Sequence, residues 1–360
     1  NFNYDERIEY LPTYSSHMEK PVAILKIGTT SITDDNGELN QAVMVEIARQ
    51  LGSLHGLYNW IVVSSGAVGN GKNLLKNYQG SIIERKAAAA IGNPILLQKY
   101  AQFLAPYKIS IAQSLCERSH FSNEEQLGQL RQTFLELWKN GVIPIANEND
   151  VVSNLELKFS DNDELATLLA VGFGASLLLL GTSVPGVIDE MGNTIPEISN
   201  IDENILSLAT TSVSNHGLGG MISKLTFARL ATKMGVKTVI FDIRKSGAIE
   251  QAIEGNLGTV CLAHSSTRSQ RQQWLSSGNI VRGKIQVNEK AFSALTNGEQ
   301  LMLAHVSEII EPFAKGEVFE ILDNNRKSIA VARAVSSSDS LGADNKQGQV
   351  LAKADEIILL

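Results

Sequence analysis

The sequence predicts an α/β fold, a three-layer sandwich around a mainly parallel sheet, followed by a small β-rich domain. Three observations predict it. Short β-branched runs alternate with amphipathic stretches from Pro21 to about Leu262, the order that builds a parallel sheet covered on both faces. Most of those runs lack polar alternation, as strands buried on both faces do. After Cys261 the chain changes to short strand-like runs divided by turn signals.

The strand candidates of the first part are VAILKI (22–27), WIVVSS (60–65), ISIAQS (109–114), VIPIAN (142–147), SLLLLG (176–181) and KTVIFDI (237–243). Helices are expected over 40–57, where Val43, Ile47, Leu51 and Leu54 share a stripe, and over about 81–105, 124–140, 162–173 and 221–234. The polar segment 264–279 reads as a linker with one helical turn. Beyond it GKIQVNE, GEQLMLA, EVFEILD, SIAVARAVS and ADEIILL read as strands, with turns at Asn297-Gly298 and Asp323-Asn324-Asn325. The expected division is a polar extension over 1–20, a first domain over 21–263, the linker over 264–279 and a second domain over 280–360.

Composition narrows the function classes. No apolar run nears the roughly 18 residues of a membrane span, and the polar, acidic first 20 residues fit neither a signal nor a transit peptide. With only Cys116 and Cys261, the 360-residue chain has no disulfide framework. A cytoplasmic protein is expected. Its formal charge of −7 argues against a chain-wide nucleic-acid footprint.

Ligands of such a fold bind beyond the carboxyl ends of the strands, and four polar clusters fall there. The first is Lys26-Ile27-Gly28-Thr29-Thr30-Ser31. A lysine within an apolar strand needs an anionic partner or an edge position that lets it reach water. Glycine followed by hydroxyl residues offers backbone donors to a phosphate. The second is Ser64-Ser65-Gly66-Ala67-Val68-Gly69. Gly66 to Lys72 fits the start of a Walker A loop, but Asn73 stands where the Mg²⁺-binding hydroxyl belongs. A glycine-rich turn presenting Ser65 and backbone N–H groups to an anionic substrate is the simpler reading.

The third cluster joins Asn147-Glu148-Asn149-Asp150 to Phe159-Ser160-Asp161-Asn162-Asp163. Its carboxylates and amides suit a substrate's ammonium and carboxylate, or the ordering of lysines. The competing reading makes Asp161 and Asp163 helix caps. The fourth, Gly217-Leu218-Gly219-Gly220-Met221-Ile222-Ser223-Lys224, opens a helix. Its backbone donors and the lysine suit phosphates, and a flexible turn before a surface lysine is the alternative.

In this order KIGTTSIT, VVSSGAV, IPIANEND, FSDNDELATLLA, LLLLGTSVPGV and GLGGMISKLTFARLA resemble the amino-acid kinase family, most specifically the glutamate 5-kinases. RGKIQVNE, FAKGEVFEI and SIAVARAVSSSD resemble the PUA domain, so the likeness spans about 21–360. The resemblance implies the amino-acid kinase fold, a PUA-like tail and ATP-dependent phosphorylation of the side-chain carboxylate of L-glutamate. It implies that Lys26 contacts the transferring phosphoryl group, Lys224 the ATP phosphates, and that Asp163 holds both lysines. Ser65, Gly66, Asn147, Asp150, Asp161 and Asn162 are then substrate-binding candidates. Gly28, Thr29, Thr182, Ser183, Leu218, Gly219, Gly220, Met221, Ile222 and Ser223 are ATP-binding candidates beside the lysines. Mg²⁺ is expected to be held mainly through the nucleotide, without a protein cage. The resemblance also implies feedback inhibition by proline and a homodimer or homotetramer.

Two departures stand out. Thr182-Ser183-Val184-Pro185-Gly186-Val187-Ile188 lacks the aspartate and tyrosine usual in the family there, which puts the nucleotide contact in question. The tail is shortened at DNKQGQV. Competing readings keep the fold and change the acceptor to carbamate, acetylglutamate, aspartate, uridylate or isopentenyl phosphate, or make the chain a degenerate regulatory kinase. RNA binding is disfavoured, because residues 281–360 carry nine basic against eleven acidic residues. A local patch of Arg326, Lys327 and Arg333 is what remains for that reading.

Overall fold

A computed structural model describes residues 20–33, 39–122, 124–151, 161–211, 218–265, 281–313, 315, 318–324, 326, 328–338, 349–354 and 357–359. The expected extension, most of the linker, Gly217, Ser160, Lys327, the side chain of Arg333 and most of the DNKQGQV stretch lie outside them.

In chain order the first part comprises β1 (Val22–Ile27), α1 (Thr29–Ile32), α2 (Gln41–Leu54), β2 (Asn59–Ser64), α3 (Ala67–Lys72) and α4 (Ile82–Leu104). It continues with β3 (Ser110–Cys116), α5 (Ser119–Ser122), α6 (Glu124–Lys139), β4 (Val142–Glu148), α7 (Asn162–Gly172) and β5 (Leu177–Thr182). It closes with β6 (Glu197–Ile198), α8 (Glu203–Thr211), α9 (Leu218–Lys233), β7 (Lys237–Asp242), α10 (Ala248–Glu254) and β8 (Thr259–Cys261).

These eight strands form one sheet in the order β3-β4-β2-β1-β5-β7-β8-β6. All its pairings are parallel except β7 with β8. Strand β1 is buried along its whole length, as its unbroken apolar character requires. One core lies on each face: Ile24, Ile61, Val63, Leu178 and Leu180 point to one, and Ala23, Leu25, Val62, Leu177 and Leu179 to the other. That alternation within uniformly apolar strands accounts for the three layers.

Helices α2 and α4 begin where side chains take the free backbone donors. Asn40 accepts from the N–H of Val43 at 3.2 Å. Ser81 and Glu84 form a capping box at the start of α4. The six strand expectations fall within two residues of the observed ends, and the five helices within three. The differences lie in short pieces. Segment 66–72, expected as a turn, turns only at Ser65-Gly66 and then forms α3. Helices of four to nine residues such as α1, α3 and α10 hold too few turns to show a periodic stripe.

The second part has β9 (Val281–Val287), α11 (Glu289–Thr296), β10 (Leu301–Met302), β11 (Val306–Glu311), β12 (Val318–Leu322), β13 (Ser328–Arg333), β14 (Val350–Ala352) and β15 (Ile357–Leu359). Five of these form a sheet of order β11-β9-β12-β13-β15, and β10 pairs with β14. Its own core includes stacked Phe313 and Phe319, with ring centroids 4.4 Å apart. Lys284 lies 3.5 Å from Glu311 and 3.8 Å from Glu320, so its charge is locally offset. Sequence reading missed β11, β14 and α11 here.

Candidate active site

The chain leaves β1 for β2 on one side and later returns to pair β5 on the other. That reversal marks the carboxyl end of β1 as the crevice where such sheets take ligands. Lys26 is the penultimate residue of β1, and its side chain is buried.

Its partner comes from α7. Asp163, 1% exposed, forms an ion pair with Lys26, Nζ lying 2.6 Å from Oδ1, and accepts from Lys224 Nζ at 2.9 Å through Oδ2. Lys224 is itself buried on α9. Burial alone would raise the Asp163 carboxyl, but the fields and hydrogen bonds of the two lysines outweigh it and hold the group below the usual aspartate value. Burial depresses the Lys26 ammonium, and Lys224 adds to the depression; Asp163 opposes both without cancelling them. The edge-lysine alternative for Lys26 is therefore excluded by its central, buried position. A side chain on Gly28 would lie 3.8 Å from Lys26 Nζ and 3.3 Å from Ser31 Oγ. Glycine keeps the space beside the ammonium open.

Helix α7 is set by Asp161, whose Oδ1 accepts from the N–H groups of Asp163 at 2.9 Å and Glu164 at 3.2 Å. The capping alternative thus holds for Asp161, and it has a consequence: the cap fixes the turn that aims Asp163 at the lysines. Asp161 Oδ2 accepts from Ser223 Oγ, which ties α7 to the first turns of α9. Asp163 lies in the first turn of α7 and is not the cap.

Asn162 faces the other way. Its Nδ2 donates to Ser65 Oγ at 2.7 Å, to Asn147 Oδ1 at 3.1 Å and to the Ser64 carbonyl at 3.2 Å. These bonds draw together the ends of β2, β4 and α7. Gly66 follows at φ +110°, a left-handed conformation that a side chain would strain. Together they enclose a cavity of about 270 Å³ lined by Thr29, Ser65, Gly66, Asn147, Asp150, Asp161 and Asn162, with Ala67, Val68, Gly69 and Glu148 completing it. It is small beside the roughly 300–1,000 Å³ of clefts that take drug-sized ligands. Its polar carboxylates and amides fit a compact zwitterion better than an apolar molecule.

The opposite side of the lysines is formed by the ends of β5 and β7. Gly181 sits against the Lys26 carbonyl and Ile243, and a Cβ there would lie 2.8 Å from the isoleucine. Thr182 and Ser183 follow. Arg244 Nη2 donates to the Ser183 carbonyl at 2.6 Å while Nε and Nη2 grip the two oxygens of Asp242 at 2.8 Å each. On α9, Gly220 and Ile222 are exposed, Met221 and Ser223 are partly so, and Leu218 and Gly219 are described as helix.

The four clusters are therefore brought to one edge of the sheet. Sequence reading assigned no role to Glu148, Asn93, Asp242 or Arg244. Asn93 lies mid-helix, and Asp242, with Arg244 just after it, ends a strand whose apolar run masked the pair. The strand-end rule that found the other clusters also applies to Asp242.

The model of the amino acid kinase family matches residues 21–242, and that of the PUA domain matches 283–353. A glutamate 5-kinase of Haemophilus influenzae (strain PittGG) is 34% identical over 336 residues, which is 90% of this chain and 91% of that protein. A glutamate 5-kinase of Salmonella paratyphi B is 32% identical over 329 residues, 88% of this chain and 89% of its own length. Among solved structures, carbamate kinase from Giardia lamblia bound to AMP-PNP superposes with a TM-score of 0.51 at 19% identity, covering 68% of this chain and 99% of its own. That likeness supports the fold. With family models across both parts and relatives matched nearly end to end, the chain belongs to the amino acid kinase family, alongside the glutamate 5-kinases.

Proposed function

We propose that this chain transfers the γ-phosphoryl group of ATP to the side-chain carboxylate of L-glutamate, giving γ-glutamyl phosphate, the opening step of proline synthesis. The observation that carries the reading is the pair of buried lysines held on one carboxylate beside a small cavity lined by acids and amides.

The chemistry asks little of the protein beyond position and charge. A carboxylate oxygen of the acceptor attacks the γ-phosphorus, the bond from that phosphorus to the β–γ bridging oxygen breaks, and ADP leaves with the electron pair. The nucleophile is already ionised, so no base is needed, and no histidine is among the residues lining the cavity. The obstacle is repulsion between a carboxylate and a triphosphate. Lys26 and Lys224 offset it, and Asp163 keeps them oriented and apart while leaving a net positive charge at the transfer point.

In this reading Ser65, Gly66, Asn147, Asp150, Asp161 and Asn162 hold glutamate in the cavity. Gly28, Thr29, Thr182, Ser183 and residues 218–223 approach ATP. Mg²⁺ entering with ATP would supply further neutralisation of the phosphates. Both Asp163 oxygens are engaged by lysines, and no cluster of three potential metal ligands occurs among the described residues. A metal bound chiefly by nucleotide oxygens fits that donor set. No helix among the described residues is long and apolar enough to cross a membrane.

The test is ADP release from MgATP with L-glutamate, the acyl phosphate being trapped by hydroxylamine. Glutamate-dependent hydroxamate is expected, lowered in Lys224→Ala by roughly a hundred- to a thousandfold, the scale for losing one preorganised charge contact. ATP turnover without hydroxamate, or turnover indifferent to the substitution, would overturn the reading. The same assay at subsaturating glutamate reports whether proline competes for the cavity.

A further inference from the structure

Helix α4 buries a stripe of Ala88, Ala89, Gly92, Asn93, Leu96, Tyr100 and Leu104. Two members of this stripe carry polar groups, and both point to the site. Tyr100 shares a hydrogen bond of 2.8 Å with Ser64 at the end of β2. Asn93, 5% exposed, accepts through Oδ1 from Asn147 Nδ2 at 3.0 Å. A buried amide on an otherwise apolar stripe is costly unless its bond is needed, and an aliphatic side chain would pack there without that cost.

What the bond does follows from its direction. Asn93 takes one of the two hydrogens of the Asn147 amide, which holds the Nδ2 end against α4 and turns Oδ1 toward the site. There that oxygen accepts from the N–H of Glu148 at 2.9 Å and from Asn162 Nδ2 at 3.1 Å. Asn162 is thereby fixed with its donor end toward β2, where it also gives a hydrogen to Ser65 Oγ at 2.7 Å. Ser65 Oγ, acting as acceptor toward Asn162, has its own hydrogen available to donate to an anion in the cavity. The neighbour of Asn93 does a parallel job on the other wall: a Cβ on Gly92 would fall 1.7 Å from the Ala67 carbonyl, so α3 lies directly against α4 at this point.

We propose that Asn93 is a positioning residue for the acceptor. It sets the polarity of the chain Asn93–Asn147–Asn162–Ser65, so that Ser65 meets the substrate as a donor, without itself lining the cavity. The inference rests on the acceptor reading given above and adds to it a residue outside the cavity wall.

The test compares wild type, Asn93→Ala and Asn93→Asp, the last of which keeps the acceptor. In Asn93→Ala the KM for glutamate should rise at least tenfold while kcat and the KM for ATP stay within about twofold. Asn93→Asp should recover part of the loss. Equal rises in both KM values would indicate general loosening of the fold and overturn the proposal, as would unchanged kinetics. A crystal structure of Asn93→Ala separates this from the fate of the acceptor reading itself. If wild type fails to phosphorylate glutamate, that reading falls, and the orientation of the Asn147 amide still decides the proposal: a turned amide supports it, and an unturned one sinks it.

Discussion

Asp163 holds one negative charge between two positive ones in a place water hardly reaches. Its effect on Lys26 is support against desolvation, since burial is the larger influence and leaves the ammonium below its ordinary value of 10.5. A reaction that needs this ammonium protonated therefore loses rate on the alkaline side before an ordinary lysine would titrate. Replacing Asp163 by Asn removes the support while leaving Lys224 to repel. We expect Asp163→Asn to lower kcat at neutral pH by about a hundredfold or more. We also expect the alkaline limb of its pH–rate profile to move to lower pH than in wild type. A limb that stays in place would detach Asp163 from the Lys26 charge. The presence of Lys26, Asp163 and Lys224 was legible because each sits in a polar cluster at an element end. Their joining through a single carboxylate entered only with the family resemblance, because residues 26, 163 and 224 are far apart in the chain and no local pattern links them.

At the scale of elements, α3 and α4 pack backbone against backbone, with no room for a side chain at Gly71 or Gly92. Ala88 O would be 1.9 Å from a Cβ on Gly71, and Ala67 O 1.7 Å from one on Gly92. Since both obstacles are backbone atoms, neither can rotate away. Gly92→Ala should cost about 1–3 kcal/mol of stability by overpacking, read as a lower urea midpoint. It should also raise the KM for glutamate, because Ala67 lines the cavity. A Gly92→Ala protein of unchanged midpoint would show that the helices separate at no cost. The long helices were legible from their stripes, as α2 was from Val43, Ile47 and Leu51. Helix α3 was not, because glycines at 66, 69 and 71 read as a turn. What makes it a helix is its docking on α4, a tertiary effect that propensity does not contain.

Across the whole molecule, the sheet order divides the work. The cavity occupies the β2–β4 side of β1, and the Thr182–Ser183 turn with Asp242 and Arg244 occupies the β5–β7 side, with the lysines between. Substitutions on one side should leave the other substrate's binding intact. Arg244→Ala frees the Ser183 carbonyl and leaves Asp242 without its guanidinium. It is expected to raise the KM for ATP on the order of tenfold, the worth of one charge-assisted bond, with the KM for glutamate unchanged. Equal effects on both would mean that the sides are not separable. Strand order was not legible beyond the expectation of a parallel sheet, and the antiparallel β8 escaped because a three-residue strand has no period to detect.

One modest feature bears on how such a molecule would behave outside a reducing environment. Both cysteines are fully buried, Cys116 at the end of β3 and Cys261 in β8. Burial pushes their thiols up to about 11 and about 12. At neutral pH fewer than roughly one Cys116 thiol in a thousand is ionised, and the thiolate is the form that peroxide and alkylating reagents attack. The chemistry proposed here runs on amines, amides and carboxylates. An oxidative burst that silences thiol-dependent enzymes would therefore find no exposed thiol in this one; the Met191 thioether, 87% exposed, is the kind of sulfur left to oxidise.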